Sequence, residues 1–254
     1  MNRSIFCVLA GGRSSRFGRS KLDIHIDGEP ILAYQARRGR RMLRELGRTG
    51  QIWLSHQPDW NISEVVGDYD RLVVDPMAYI GPLQAMRTIL AKAPPQAVVF
   101  FTAADMPGIT AENYQRLLRA LLRIDRGQSA ESPSAASKGK VLFARDALSI
   151  KPTGTSAGSR GNQKTAGAMG IWAAGPRLGL AEPWPSAWHA GPALRAIDQA
   201  IATGVFAPKH LIHRGDVVSV ALRGPQDRDA FININRPEDL PEASALLKAH
   251  LTIG

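Results

Sequence analysis

Apolar residues along this chain fall in short uncharged runs separated by stretches with helical spacing. Ile5-Phe6-Cys7-Val8-Leu9 carries no charge and ends abruptly at Ala10-Gly11-Gly12. Such a run predicts a strand buried on both faces, as in parallel sheets. A short extended piece over Lys21–Ile26, a turn at Asp27-Gly28 and a helix from about Gly28 to Leu46, begun by Pro30, are expected next. Gln51–Ser55 and Arg71–Val74 read as strands, and Gly81-Pro82-Leu83 opens a helix through about Ala93. Ala97–Ala104 is the most hydrophobic run and is expected at the centre of the sheet. A helix over Thr110–Leu122 follows, with Thr110 as its N-cap. Strands alternating with helices on this scale argue α/β architecture: one doubly wound, mostly parallel sheet.

The second half is less regular. Gly, Ser, Ala, Thr and Lys dominate 127–168, read as a loop-rich insertion holding one short strand, Val141–Ala144, and serving either as a mobile lid over the acceptor site or as a plain flexible tract. Loop composition continues to Gly170. Trp172, Trp184 and Trp188 cluster with Pro183, Pro185 and Pro192; they either fill core or stack on a flat ring. Gly191–Thr203 reads as a helix and Val217–Leu222 as a strand. In Phe231-Ile232-Asn233-Ile234-Asn235, alternation places the two asparagines on one face and the two isoleucines on the other. Pro237 then opens a C-terminal helix with Glu238 and Asp239 in its first turn. At 254 residues the whole chain is read as a single domain, 1–254.

Chemistry concentrates where strands end. After Gly12 come Arg13, Ser14, Ser15, Arg16, Gly18, Arg19 and Lys21, with no acid before Asp23. Glycines expose backbone N–H groups, and fixed cations beside them suit a polyphosphate. Neither a Walker A loop nor the dinucleotide fingerprint is present. Ligands of doubly wound sheets bind at the carboxyl ends of the strands. The glycine turn, Ser55, Asp75 and Asp105 all fall on that edge. Asp105, at the end of the apolar run and fixed by Pro107, is placed to hold Mg²⁺, which needs one or two carboxylates and otherwise keeps waters and substrate phosphates. Asn233 and Asn235 order the metal's water shell or an acceptor phosphate, or else cap the neighbouring elements.

Charge and composition narrow the class. With 32 Lys+Arg against 22 Asp+Glu the formal net charge is +10, which favours an anionic partner. The densest patch, Arg37-Arg38-Gly39-Arg40-Arg41, lies on the first helix and reads as a solvated face; no aromatic-interleaved basic stripe or zinc spacing accompanies it, so nucleic acid is not the expected partner. No stretch of about eighteen apolar residues occurs, so no membrane association is expected. One cysteine, Cys7, and no signal-like N-terminus point to the cytoplasm, with Cys7 a buried structural thiol.

The long pattern Leu9-Ala-Gly-Gly-x-Ser14-x-Arg16-Phe-Gly-x-x-Lys21 resembles the signature of the MobA-like nucleotidyltransferases, which include the molybdenum cofactor guanylyltransferases. Asp105-Met106-Pro107 is similar to that family's Asp-x-Pro segment, Asp75 followed by Gly81-Pro82-Leu83 to its Asp…GPL element, and Phe231–Leu240 to its C-terminal FxN[IV]NTPE[DE]L run. The resemblance implies a Rossmann-like nucleotidyltransferase fold and transfer of GMP from Mg-GTP to the phosphate of molybdopterin, releasing pyrophosphate. It implies nucleotide contacts from Leu9, Ala10, Gly11, Gly12, Ser14, Lys21, Ser55, Asp75, Gly81 and Asp105, with Arg16, Lys21 and Asp105 catalytic and Asp105 the Mg²⁺ ligand. The family's His-Pro element, which helps seat the pterin, is absent; Thr165–Met169 occupies its place. Two other readings stay open: a nucleotidyltransferase using CTP or acting on a sugar or polyol phosphate, and a non-catalytic nucleotide-binding or nucleic-acid-associated protein.

Overall fold

A computed structural model describes residues 3–11, 24–26, 28–78, 80–125, 167–172, 181–211, 217–222, 227 and 229–245. The expected strand Val141–Ala144 and all of the insertion except Gly167 and Ala168 lie outside these residues.

The sheet grows from β1, Ser4–Leu9, every residue of which is buried. A small hairpin of β2 (His25–Ile26) and β3 (Glu29–Pro30) turns at Gly28, whose φ of 84° favours glycine. Helix α1, Ile31–Glu45, begins after Pro30 and leads to β4, Gly50–His56, which pairs parallel to β1. Beyond it, β5 (Arg71–Val74) is parallel to β4. Helix α2, Pro82–Lys92, then carries the chain back across to β6, Val98–Ala103, on the other side of β1. Helix α3 spans Ala111–Asp125, and β7 (Gly167–Trp172), β8 (Ala181–His189), α4 (Ala190–Ala202) and β9 (Val217–Leu222) complete the layers.

The strand order is β5-β4-β1-β6-β8-β7-β9. Only β8 runs against its neighbours on both sides; the other pairs are parallel. The expected doubly wound, mostly parallel α/β sheet is therefore present, with β6 at its centre. The first crossover moves from β1 to β4 and the second returns past β1 to β6. Right-handed crossovers in opposite directions put α1 and α2 on opposite faces. The carboxyl ends of β1 and β6 thus flank the topological switch point.

Close packing fixes α1 and α3 on one face. Phe6 and Phe100 meet the Tyr114 ring edge-on at 5.8 and 5.4 Å, and the Tyr114 hydroxyl donates to the Phe101 carbonyl at 2.8 Å. Gly39 on α1 admits the Phe6 ring; a Cβ there would stand 2.3 Å from Phe6 Cδ1. Thr110 caps α3 as expected: its Oγ1 accepts from the Asn113 N–H at 3.3 Å, while Asn113 Oδ1 accepts from the Thr110 N–H at 2.8 Å. Cys7 is fully buried, and burial raises its thiol pKa well above the usual range, so it is structural.

Three expectations are corrected. Loop composition did not hold to Gly170: Gly167 and Ala168, the end of the supposed insertion, form the start of β7. The tryptophan-proline stretch, for which no element is expected from sequence, is a strand, β8; Trp184 and Trp188 are buried, the core-filling alternative of the two. Phe231–Asn235 is not a strand: a 3₁₀ turn covers Asp229–Phe231, and the Ile234 N–H bonds the Asp105 carbonyl at 2.8 Å instead of joining a ladder. Pro237–Asp239 is a further 3₁₀ turn, and helix follows at 240–245.

Candidate active site

Parallel pairing gathers the strand ends. Leu9 stands opposite Ser55 on one side and Ala103 on the other. Two backbone bonds continue this register past the strands: Ala10 N–H to the Ser55 carbonyl at 2.9 Å, and Ala104 N–H to the Leu9 carbonyl at 3.0 Å. Gly11 and Asp105 therefore each leave adjacent strands two residues beyond a paired position, on the same edge.

On the β4 side, the Ser55 hydroxyl donates to Asp75 Oδ1 at 2.7 Å, and the Asp75 N–H bonds the His56 carbonyl at 2.8 Å. A Cβ on Gly11 would lie 3.4 Å from Asp75 Oδ2, so the glycine backbone rests against this carboxylate. Asp75 is buried, and desolvation raises its pKa; the Ser55 hydrogen bond and nearby His56 pull the other way. Leu9, Ala10, Gly11, Ser55 and Asp75 thus form one contiguous patch. Gly81 precedes α2 with φ 89°, a conformation open to glycine. Gly12, Ser14, Arg16 and Lys21 lie outside the described residues.

On the β6 side, Asp105 sits in a turn held from two directions. From α1, the fully buried Gln35 directs Nε2 at the carbonyls of Ala103, Ala104 and Met106, each at 3.2 Å. From the C-terminal segment comes the Ile234 N–H. That segment approaches so closely at Gly108 that a Cβ there would stand 1.9 Å from the Asp229 carbonyl oxygen. The same segment is anchored to α3 by Asp227, fully buried, which accepts from Arg116 Nη1 and Asn113 Nδ2 at 2.7 Å each. Asn233 and Asn235 are thereby brought to the Asp105 turn. The Asn235 and Arg236 N–H groups both bond Asp239 Oδ2 at 2.8 Å, so Asp239, not an asparagine, caps the following turn.

Sequence reasoning missed Gln35, Gly108 and the Asp227 anchor. Gln35 reads only as a polar interruption of the apolar side of α1. Gly108, directly after Asp105-Met106-Pro107, is the one that composition could have flagged, since a glycine beside a fixed turn often marks a close backbone approach.

Mg²⁺ suits this donor set. Among the described residues no group of three or more His, Cys, Asp or Glu converges, so an all-protein cage is not what they offer. On the β6 side they offer the buried Asp105 carboxylate and the buried Asn233 Oδ1, which lacks a hydrogen-bond partner, one residue from the Ile234–Asp105 contact. An ion that keeps water and phosphate oxygens as its remaining ligands fits such a pair.

The profile of the MobA-like NTP transferase domain matches residues 6–165. The chain belongs to that family. The matched region includes the glycine turn, Ser55, Asp75 and Asp105. A molybdenum cofactor guanylyltransferase of Xanthomonas euvesicatoria pv. vesicatoria is 29% identical over 112 residues, 44% of this chain and 51% of the relative. A probable molybdenum cofactor guanylyltransferase of Thermococcus kodakarensis is 33% identical over 108 residues, 42% of this chain and 49% of the relative. The aligned stretches span about half the length of these curated relatives. In fold the chain is similar to a 4-diphosphocytidyl-2C-methyl-D-erythritol synthase from Anaerococcus prevotii, with TM-score 0.62, 14% identity and coverage of 97% of this chain and 99% of that one. No helix among the described residues is long and apolar enough to cross a membrane.

Proposed function

We propose that this protein is a nucleotidyltransferase that moves GMP from GTP to the phosphate of molybdopterin. An oxygen of the acceptor phosphate attacks the α-phosphorus of GTP; the bond from that phosphorus to the bridging oxygen breaks, and pyrophosphate leaves. The acceptor is already an anion at neutral pH, so the protein needs no strong base. Positioning and charge neutralisation carry the rate.

In this reading Gly11, Gly12 and Ser14 cradle the triphosphate with backbone N–H groups. Arg16 and Lys21 offset charge on the α-phosphate and on the leaving pyrophosphate. Ser55 and Asp75 lie toward the nucleoside, Asp75 held by the 2.7 Å bond from Ser55. Asp105 holds Mg²⁺, with Asn233 and Asn235 ordering its water or the acceptor phosphate. When bound, the ion supplies positive charge against the phosphate oxygens. The observation that carries the reading is the exit of Gly11 and Asp105 from neighbouring strands at one edge, in a chain of this family.

The base and the acceptor are parts of the proposal. The named guanylyltransferase relatives favour GTP and molybdopterin. A second reading, CTP with another phosphorylated acceptor, draws on the whole-chain likeness to a diphosphocytidyl-methylerythritol synthase. Pyrophosphate release with GTP, CTP, UTP and ATP, each with molybdopterin or with methylerythritol phosphate, separates them. The proposal predicts release with GTP and molybdopterin alone. Release only with CTP and the sugar alcohol phosphate would replace it.

A further inference from the structure

The Asp105 turn and the Asn233 segment are joined at two ends. At one end the Ile234 N–H bonds the Asp105 carbonyl at 2.8 Å. At the other, eight residues after Asp105 and six before Asn233, Asn113 Nδ2 donates to Asp227 Oδ1 at 2.7 Å. Between these ends Gly108 lies against the Asp229 carbonyl. The segments that carry the Asp105 carboxylate and Asn233 Oδ1 are thus clamped side by side.

Asn113 is the pivot of the far clamp. It lies in the first turn of α3 and is buried. Its Oδ1 accepts from the Thr110 N–H at 2.8 Å and from the Thr110 hydroxyl at 2.9 Å, which ties it to the exit of the Asp105 turn. Its Nδ2 meets Asp227. Only an amide can accept on one side and donate on the other in this way. Asp227 is fully buried; its other oxygen accepts from Arg116 Nη1 at 2.7 Å, and Arg116 Nη2 reaches the Ala221 carbonyl of β9 at 2.6 Å. A buried ion pair adds little stability over well-packed apolar side chains. What it adds here is direction: each carboxylate oxygen has its own fixed donor, so the segment that starts at Asp227 leaves in one orientation. Six residues on, Asn233 Oδ1 is buried without a hydrogen-bond partner. It is an open acceptor on a segment held at three points.

We infer that Asn113 and Asp227 are positioning residues for the metal: their bond keeps Asn233 Oδ1 in register with the Asp105 carboxylate, so that one cation meets both. The inference rests on the nucleotidyltransferase reading and adds to it the buried link that sets metal affinity. Groups that orient a ligand from behind are worth about 10–100-fold in affinity.

The test is a titration of the full chain with Mn²⁺ in the presence of GTP, read by electron paramagnetic resonance, beside hydrogen exchange of the Ile234 amide. Asp227→Asn leaves one oxygen for two donors and turns an NH₂ group on the other donor. Asn113→Asp sets two carboxylates against each other while still accepting from Thr110. Each should weaken Mn²⁺ binding about tenfold or more and speed Ile234 exchange, and either suffices if the other folds poorly. In the double variant the roles are exchanged: the new amide donates to the new carboxylate, and its oxygen accepts from Arg116. Binding should return to within about threefold of wild type. Ile197→Ala, in the core under α4, lowers stability without touching the link and should keep wild-type affinity. Wild-type affinity in a folded single variant, no recovery in the double variant, or an equal loss in Ile197→Ala would overturn the inference and leave the metal reading standing. No nucleotide-dependent uptake by the wild-type chain would overturn the metal reading itself, and this inference with it.

Discussion

Gln35→Met removes the donor behind the Asp105 turn while keeping the length of the side chain. Gln35 is fully buried, and its Nε2 faces three carbonyl oxygens at 3.2 Å. An amide nitrogen carries two hydrogens, so two strong bonds are shared among three acceptors. The Ala103 carbonyl keeps a second donor, the Met106 N–H at 3.2 Å. The Ala104 and Met106 carbonyls, on either side of Asp105, lose the donor that Gln35 gives them. Leaving a buried acceptor unpaired costs about 1–3 kcal/mol. The variant should therefore lose about 2–4 kcal/mol of stability, somewhat offset by the added apolar burial. Released carbonyls will turn toward water and carry the intervening carboxylate with them. A misplacement of about 1 Å at a reacting group costs on the order of 10²-fold in rate. Urea unfolding measures the first effect. Pyrophosphate release against Mg²⁺ concentration measures the second, and the variant should need more metal for half-maximal rate. A variant that unfolds within about 0.5 kcal/mol of wild type and keeps its metal requirement would refute this account of Gln35.

Two further substitutions probe the neighbouring supports. Gly108→Ala places a methyl against the Asp229 carbonyl, 1.9 Å from its oxygen, where only backbone movement gives relief. It should destabilise the chain by about 1–3 kcal/mol or more and speed hydrogen exchange of the Ile234 amide, because the segment that bonds Asp105 is pushed away. Asp75→Asn tests the buried carboxyl by pH. Burial raises the Asp75 pKa, so the folded chain holds that proton more tightly than the unfolded chain. Stability is then lost as pH rises from the unfolded pKa to the raised folded one. The asparagine variant should melt higher than wild type at neutral pH, and the gap should close as acid protonates Asp75. A constant gap across the titration would contradict the assignment.

The first half of the chain was legible because its signals agree. Uncharged runs such as Ile5–Leu9 and Val98–Ala103 match strands buried on both faces, and Thr110 and Pro82 mark helix starts as capping chemistry demands. The candidate site was legible for a topological reason: once the strands are placed, their carboxyl ends must meet. β8 was hidden by Pro183 and Pro185, which argue against a strand inside a sheet. The structure accommodates them beyond Ser186, where the pairing with β6 ends, and opposite the register shift between Met169 and Ile171 of β7. Asn233 and Asn235 lie on an alternating pattern, yet the contact at Gly108 diverts their segment onto the Asp105 turn before any ladder forms. Such long-range backbone contacts leave no local periodicity to read. Gln35 fails for the same reason, since its partners lie 68 to 71 residues away.

The measurement closest to the central claim is binding of Mn²⁺, an oxygen-seeking stand-in for Mg²⁺, followed by electron paramagnetic resonance with and without GTP. The wild-type chain should take up the ion tightly only when the nucleotide is present, and Asp105→Asn should lose that uptake while unfolding at the same urea concentration. Equal nucleotide-dependent uptake by the variant would show that Asp105 does not hold the metal against the triphosphate.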